Sequence, residues 1–240
     1  MNLTGVKFVI FDVNGVLIDS NLTNAKAMAE AFTNDYDLQQ QIVEFYLKLT
    51  GIDRGSKIRR IQEEVIGRPF KEGEFELRWE GFKTIGGASM LTVPLTPGCK
   101  EVLDEFGKRN IVRIALSNTP IEELRNCLSA QKLEKRLEVI RGGGDWPKAE
   151  SLTRLLEEFH YNPAECLFIG DGKGDLMAAK PAGVSFVAID PDTGEFDGET
   201  GFDGPYTNLA HFGRGSGLAF CHHECQGDHK IASRMAKSKT

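Results

Sequence analysis

Asp12, Asp171 and Asp175 are the carboxylates of this chain whose surroundings suggest chemistry rather than solvation. Asp12 ends an apolar run and opens the tight sequence Asp-Val-Asn-Gly, and the other two sit in the glycine-rich stretch Gly170-Asp-Gly-Lys-Gly-Asp175. Acids gathered at one place repel unless a hard cation lies between them, and an all-oxygen set suits Mg²⁺, which keeps several waters and serves phosphate chemistry. Asn14 follows the same apolar run, Ser117 and Asn118 follow a second, and Lys148 heads a helical pattern after a third. A hydroxyl and an ammonium beside a cation complete a cradle for a dianionic phosphoryl group.

Residues so far apart in sequence meet only if the fold gathers them. Val6–Phe11 reads as a buried strand followed by a turn. From Ser20 to about Ile85 the spacing becomes helical, with amphipathic segments at Leu22–Phe32, Leu38–Leu49, Lys57–Ile66 and Lys71–Phe82. Ser20 and Ser56 are the expected N-caps and Gly67 a stop. Gly86-Gly87 and Val93–Pro97 read as a hinge. After Gly98, strands expected at Ile111–Leu116, Leu137–Ile140, Cys166–Ile169 and Val184–Ile189 alternate with helices at Cys99–Phe106, Pro120–Leu128 (capped by Thr119), Lys148–Phe159 and Leu176–Ala182. Such alternation predicts an α/β, doubly wound parallel sheet of Rossmann-like type, with the helical block inserted after its first strand. The expected division is a core of residues 1–15 and 92–212, a helical cap over 16–91, and a mobile tail over 213–240. In an open sheet of this type the ligand sits beyond the carboxyl ends of the strands, where all the residues singled out above fall.

Four stretches together carry a family resemblance. Phe11-Asp-Val-Asn-Gly-Val-Leu-Ile-Asp-Ser20 resembles the first motif of the haloacid dehalogenase-like (HAD) hydrolases, Asp-x-Asp-Gly-Thr/Val-Leu. Leu116-Ser117-Asn118 resembles the second, Lys148 the third, and Ile169-Gly-Asp-Gly-Lys-Gly-Asp175 the fourth. The resemblance covers about residues 5–212 and is closest to the phosphoglycolate phosphatase-like branch, which has a helical C1-type cap. It implies that Asp12 is a nucleophile taking the phosphoryl group as an aspartyl phosphate. It implies Mg²⁺ held by Asp12, the Asn14 backbone carbonyl, Asp171 and Asp175, with Ser117 and Asn118 on phosphoryl oxygens and Lys148 paired with nucleophile and phosphate. One position departs from the pattern: the family's phosphatases carry a second aspartate where this chain has Asn14. An amide neither protonates a leaving alcohol nor activates water, functions that contribute roughly 10²–10⁴-fold.

The resulting expectation is a Mg²⁺-dependent phosphatase for a small phosphorylated metabolite, impaired by Asn14. A phosphonatase-like C–P hydrolase using Lys57 as a Schiff-base lysine, and a non-catalytic phosphate-binding protein, are the alternatives. Arg54 and Lys57, in Gly51-Ile-Asp-Arg-Gly-Ser-Lys57, are candidate contacts to the substrate's leaving group, with a solvated helix start as the plain reading.

The remaining features exclude more than they assign. A net charge of −6 argues against nucleic acid or an anionic membrane as partner. No apolar run approaches a membrane span and no basic leader precedes a cleavage site, so a soluble cytoplasmic protein is expected. Five cysteines over 240 residues speak against a disulfide framework, and Cys99, Cys127 and Cys166 fall in core patterns. Gly170-x-Gly172-x-Gly174 with Asp190 is a poor dinucleotide fingerprint because its third glycine is misplaced. Asp190–Asp203 fits no EF-hand and reads as a solvated loop. Cys221-His-His-Glu-Cys225 with His229 has an unusual spacing for zinc. Oligomeric state is left open.

Overall fold

The computed structural model describes residues 2–143 and 146–218. The Cys221–Cys225 cluster, His229 and most of the expected tail lie outside the described residues. Among the described residues six parallel strands form one sheet: β1 (Phe8–Phe11), β2 (Val112–Pro120), β3 (Val139–Gly143), β4 (Cys166–Gly170), β5 (Ser185–Ile189) and β6 (Asp203–Tyr206), in the order β3-β2-β1-β4-β5-β6. The expected parallel α/β sheet is thus observed, with β6 as an additional edge strand.

The short strands are apolar because both faces are covered. Along β1, Val9 and Phe11 enter one core and Ile10 the other. The first core is built with α5 (Cys99–Lys108), α6 (Ile121–Ala130) and α9 (Leu209–Gly215), the second with α7 (Lys148–Glu158) and α8 (Lys173–Ala182). Phe8 pairs with Val112 on one side and Cys166 on the other, so β1 lies between β2 and β4. The chain runs outward from β1 in both directions, and the carboxyl ends of β1, β2 and β4 flank the resulting crevice. Cys99, Cys127 and Cys166 are buried and free, and burial pushes their thiols up to about 12, 11 and 11.

Between β1 and α5 the chain forms α1 (Asn21–Phe32), α2 (Tyr36–Leu47), α3 (Arg54–Ile61) and α4 (Glu74–Met90) around a separate apolar cluster centred on Met28, Ile42, Ile58 and Ile61. A π-helical turn, Gln62–Ile66, extends α3 to Gly67, whose φ of +72° stops it as expected.

Several local expectations are corrected. Asp53, not Ser56, caps α3: its carboxylate accepts the Ser56 N–H at 2.9 Å and the Ser56 hydroxyl at 2.6 Å. Gly86 and Gly87 are no hinge but lie inside α4, where Gly86 is buried facing Phe82 and Ala27 and lets α4 pack closely on α1. Thr119 does not cap α6, because β2 continues through Pro120 and the helix starts at Ile121. The core also extends beyond residue 212, since α9 runs to Gly215 and Leu218 is buried against the sheet. No helix among the described residues is long and apolar enough to cross a membrane.

Candidate active site

The turn after β1 begins the site. The Asp12 N–H donates to the Ile169 carbonyl at 2.9 Å, which brings the ends of β1 and β4 together. Gly15 has φ +84°, and a Cβ there would stand 1.9 Å from Asp171 Oδ2, so only glycine lets the turn approach the β4 loop. Among the described residues no backbone N–H donates to the Asn14 carbonyl.

Asp12, Asp171 and Asp175 each place a carboxylate oxygen within 4.8 Å of the others. The buried Lys148 ammonium donates to Asp12 Oδ1 and to Asp175 Oδ1, both at 2.7 Å. Asp175 also accepts the Gly172 N–H at 3.3 Å, and Asn21 donates from Nδ2 to Asp171 Oδ2 at 2.7 Å. Removal from water, then the charges of Asp12 and Asp175, drive the Asp171 carboxyl well above its ordinary range. Burial likewise pushes Asp175 up to about 6 against the pull of Lys148. Burial opposes the charge on Lys148, but Asp12 and Asp175 outweigh it and raise the ammonium's pKa. Fully ionised, the three carboxylates would exceed the one ammonium by two negative charges, which one hard divalent cation would balance. The donor set therefore fits such an ion.

Asn14 belongs to a different network. Its Nδ2 donates to Thr119 Oγ1 at 3.0 Å and reaches Ser117 Oγ at 3.5 Å; its Oδ1 accepts from Ser20 Oγ at 2.8 Å and Asn24 Nδ2 at 3.5 Å. Every polar atom of this amide is occupied, and none can release a proton at neutral pH. Ser20 precedes α1 but makes no side-chain cap, because its hydroxyl is spent on Asn14. The Ser117 hydroxyl is buried and accepts the Thr119 N–H at 3.1 Å.

A cavity of about 600 Å³ opens from this cluster to the helical block. Arg54 and Lys57 both line it, with different partners. The Arg54 guanidinium lies over Phe82 and Trp79 and forks onto Glu123 of α6 at 2.7 and 3.2 Å. Lys57 has its ammonium 4.0 Å from the Tyr46 ring centre and makes no ion pair among the described residues. Asn118 lies at the cavity with Nδ2 3.5 Å from the Gly51 carbonyl.

The structure thus brings Asp12, Asn14, Ser117, Asn118, Lys148, Asp171 and Asp175 to one crevice, with Arg54 and Lys57 on the facing wall. Sequence reasoning missed Asn21, Asn24, Thr119 and Glu123. The amides occupy the first turn of α1 just after the turn motif, the one available hint. Thr119 reads locally as a helix cap, and nothing local distinguishes Glu123 from any solvated helix acid.

The doubly wound sheet thus carries a carboxylate–lysine cluster beyond its central strand ends. Residues 9–189 match the family described as haloacid dehalogenase-like hydrolase, and the chain belongs to it and is an enzyme. It is similar to a phosphoglycolate phosphatase of Haemophilus influenzae, 26% identical over 196 residues, covering 78% of this chain and 86% of that one. Among solved structures it resembles a hydrolase from Pseudomonas syringae at 21% identity and TM-score 0.70, covering 86% and 95% of the two chains. It also resembles a CbbY variant from Rhodobacter sphaeroides in complex with xylulose 1,5-bisphosphate, at 20% identity and TM-score 0.69, covering 87% and 96%.

Proposed function

We propose that this enzyme is a Mg²⁺-dependent phosphatase for a small phosphorylated metabolite, working through an aspartyl phosphate on Asp12. The observation that carries this reading is the Lys148 ammonium bridging Asp12 and Asp175 within a buried acidic cluster. Lys148 holds the Asp12 carboxylate in place and neutralises charge on the incoming phosphoryl oxygens. The Asp12 carboxylate attacks phosphorus, the bond to the leaving oxygen breaks, and water later attacks the same phosphorus to release phosphate and restore the carboxylate. Ser117 Oγ and the Asn118 N–H hold phosphoryl oxygens. Asp12, Asp171, Asp175 and the Asn14 carbonyl would hold Mg²⁺, which supplies charge neutralisation and orientation of the phosphoryl group. The block of α1–α4 acts as a cap that excludes water from the crevice.

Substrate choice follows from the facing wall. Arg54 is neutralised by Glu123, which leaves Lys57 as the cation for an anionic group distal to the phosphoryl. Phosphoglycolate, named for the Haemophilus influenzae relative, carries a carboxylate in that place. Asn14 sets the second limit, because it protonates no leaving alcohol and activates no water. The same two residues favour C–P hydrolysis as the second reading, in which the Lys57 amine condenses with a substrate aldehyde, releasing water, before cleavage. Borohydride reduction trapping substrate carbon on Lys57 would select that reading.

The test is phosphate release over phosphorylated metabolites with Mg²⁺, run beside Asn14→Asp, with rapid quench on an aryl phosphate. A burst is expected, together with a phosphate mass adduct that Asp12→Ala lacks. Asn14→Asp should abolish the burst and raise turnover by roughly 10²–10⁴-fold. Fast turnover of alkyl phosphates, unchanged in Asn14→Asp, would show that another residue supplies the proton.

A further inference from the structure

Gly172 and Gly174 belong to the glycine-spaced run after β4, yet neither holds a reacting group. Both face the loop between α2 and α3. A Cβ on Gly174 would stand 2.5 Å from the Gly51 carbonyl oxygen, and one on Gly172 would stand 2.9 Å from the Gly51 nitrogen. Gly51 itself has φ +68°, and a Cβ there would meet Gly174 Cα at 2.5 Å. Two backbones from separate layers meet here with no room for a side chain between them. The spacing that only poorly matches a dinucleotide fingerprint has its explanation in this contact.

Glu195 ties the same two segments together from the side. Its carboxylate accepts the N–H of Lys173, the first residue of α8, at 2.8 Å and also accepts the Thr50 hydroxyl. An acid at that helix end is favoured by the exposed amides. The residue is held in place by its own loop. Buried Asp190 accepts the Thr193 N–H at 2.6 Å, the Thr193 hydroxyl at 2.7 Å and the Glu195 N–H at 3.0 Å. Phe196 is buried between Phe186 and Phe202. The acidic stretch is mostly exposed, as expected of a solvated loop, but Asp190 and Phe196 anchor it so that it presents one carboxylate to the helical block.

We propose that Glu195 is a positioning residue that couples seating of the helical block to the loop carrying Asp171 and Asp175. When Thr50–Gly51 rests on Gly172–Gly174, Glu195 holds the Thr50 hydroxyl and the first amide of α8 at once. The position of the block is thereby transmitted to the two acids on either side of that amide. Only the kinetic arm of the test rests on the phosphatase reading.

Hydrogen–deuterium exchange on the full chain tests the coupling without substrate. Thr50→Val removes the hydroxyl alone and should raise exchange in residues 47–53 roughly tenfold, the size expected for losing one hydrogen bond to a charged group. Thr50→Ser should restore protection. Glu195→Ala should loosen 47–53 and 172–176 together, and Glu195→Gln, which keeps an accepting oxygen, should do so much less. Gly174→Ala, which suits a helix but puts a methyl group into the seat, should release 47–53 even if Glu195→Ala folds poorly. In kinetics, Thr50→Val should raise KM for the best substrate several-fold more than it lowers kcat, with a small aryl phosphate little affected. Exchange in 47–53 unchanged by both Thr50→Val and Gly174→Ala, or Glu195→Ala loosening only residues 190–203, would overturn the proposal. If exchange responds as expected while no phosphate ester is turned over, the coupling stands and the phosphatase reading fails.

Discussion

On the sheet side of the cavity three carboxylates gather near one ammonium, whereas on the helical side two cations rest on aromatic rings and only Arg54 is paired, with Glu123 of α6. The sheet wall is built from the ends of β1 and β4 and the start of α7, and its charges are nearly sealed from water. Ionised together, its carboxylates would outnumber the single ammonium, and the proposed uptake of a cation rests on that imbalance. The helical wall has no such excess. Arg54 is satisfied by Glu123, and Lys57 lies against Tyr46 with its charge available. The contrast separates two kinds of wall, unlike charges crowded at the strand ends and cations laid on aromatic rings in the helical block, and the proposed chemistry and substrate choice would divide between them.

The largest effects should come from disturbing the sheet wall. Lys148→Met leaves buried acids without their counter-ion and should lower stability by about 3 kcal/mol in metal-free protein, read by urea unfolding with chelator present. Mg²⁺ should raise the melting temperature of the wild type, and Asp171→Ala should abolish that rise. If Lys148→Met unfolds like the wild type, the sheet wall is not the strained one and the comparison breaks.

On the helical side, the ion pair between Arg54 and Glu123 should show a coupling of about 1 kcal/mol in a double-mutant cycle with alanine at each position. Arg54→Ala and Glu123→Ala should weaken the best substrate far less than Lys57→Ala does, because Arg54 is already paired. A larger loss for Arg54→Ala, absent from Glu123→Ala, would place Arg54 on the substrate.

The smallest effect lies farthest from the cavity. Hydrogen bonds from Arg68, then the Lys71 amide and Arg78, hold the Glu74 carboxyl far below its ordinary value of 4.5. A carboxyl depressed in the folded state contributes stability above its unfolded pKa and loses it as the pH falls toward the folded one. The deficit of Glu74→Gln in melting temperature should therefore be greatest near neutral pH and shrink below about pH 4.5. A deficit that grows on acidification would contradict the assignment.

The alternation of apolar runs and helical periods after Gly98 makes the doubly wound sheet legible from sequence. A buried parallel strand must be apolar on both faces, and each crossover must be long enough for a helix. The site was legible for a related reason: a strand end can carry a polar residue where the sheet stops, so Asp12 and Asp171 stand out against the runs before them, and Ser117 breaks the apolar run inside β2. Element boundaries were less legible. Whether Asp53 or Ser56 caps α3, and whether Gly86-Gly87 bends the chain, depend on which partner is in reach, and local propensities differ too little to decide.

The sequence by itself determined the sheet, the order of its elements, and the set of acids and one lysine that must share its carboxyl edge, because periodicity and strand ends are written along one chain. Tertiary structure alone decided how those charges are apportioned. Lys148 is shared between Asp12 and Asp175, while Asn14 is bound on all sides by Ser20, Asn24, Ser117 and Thr119. Arg54 goes to Glu123, and Glu195 reaches Thr50 and the head of α8. Apart from those to Ser20 and Asn24, these pairings join residues remote from one another in sequence. Their partners are set by distances of a few ångströms that arise only when the layers pack, and no spacing along the chain encodes them.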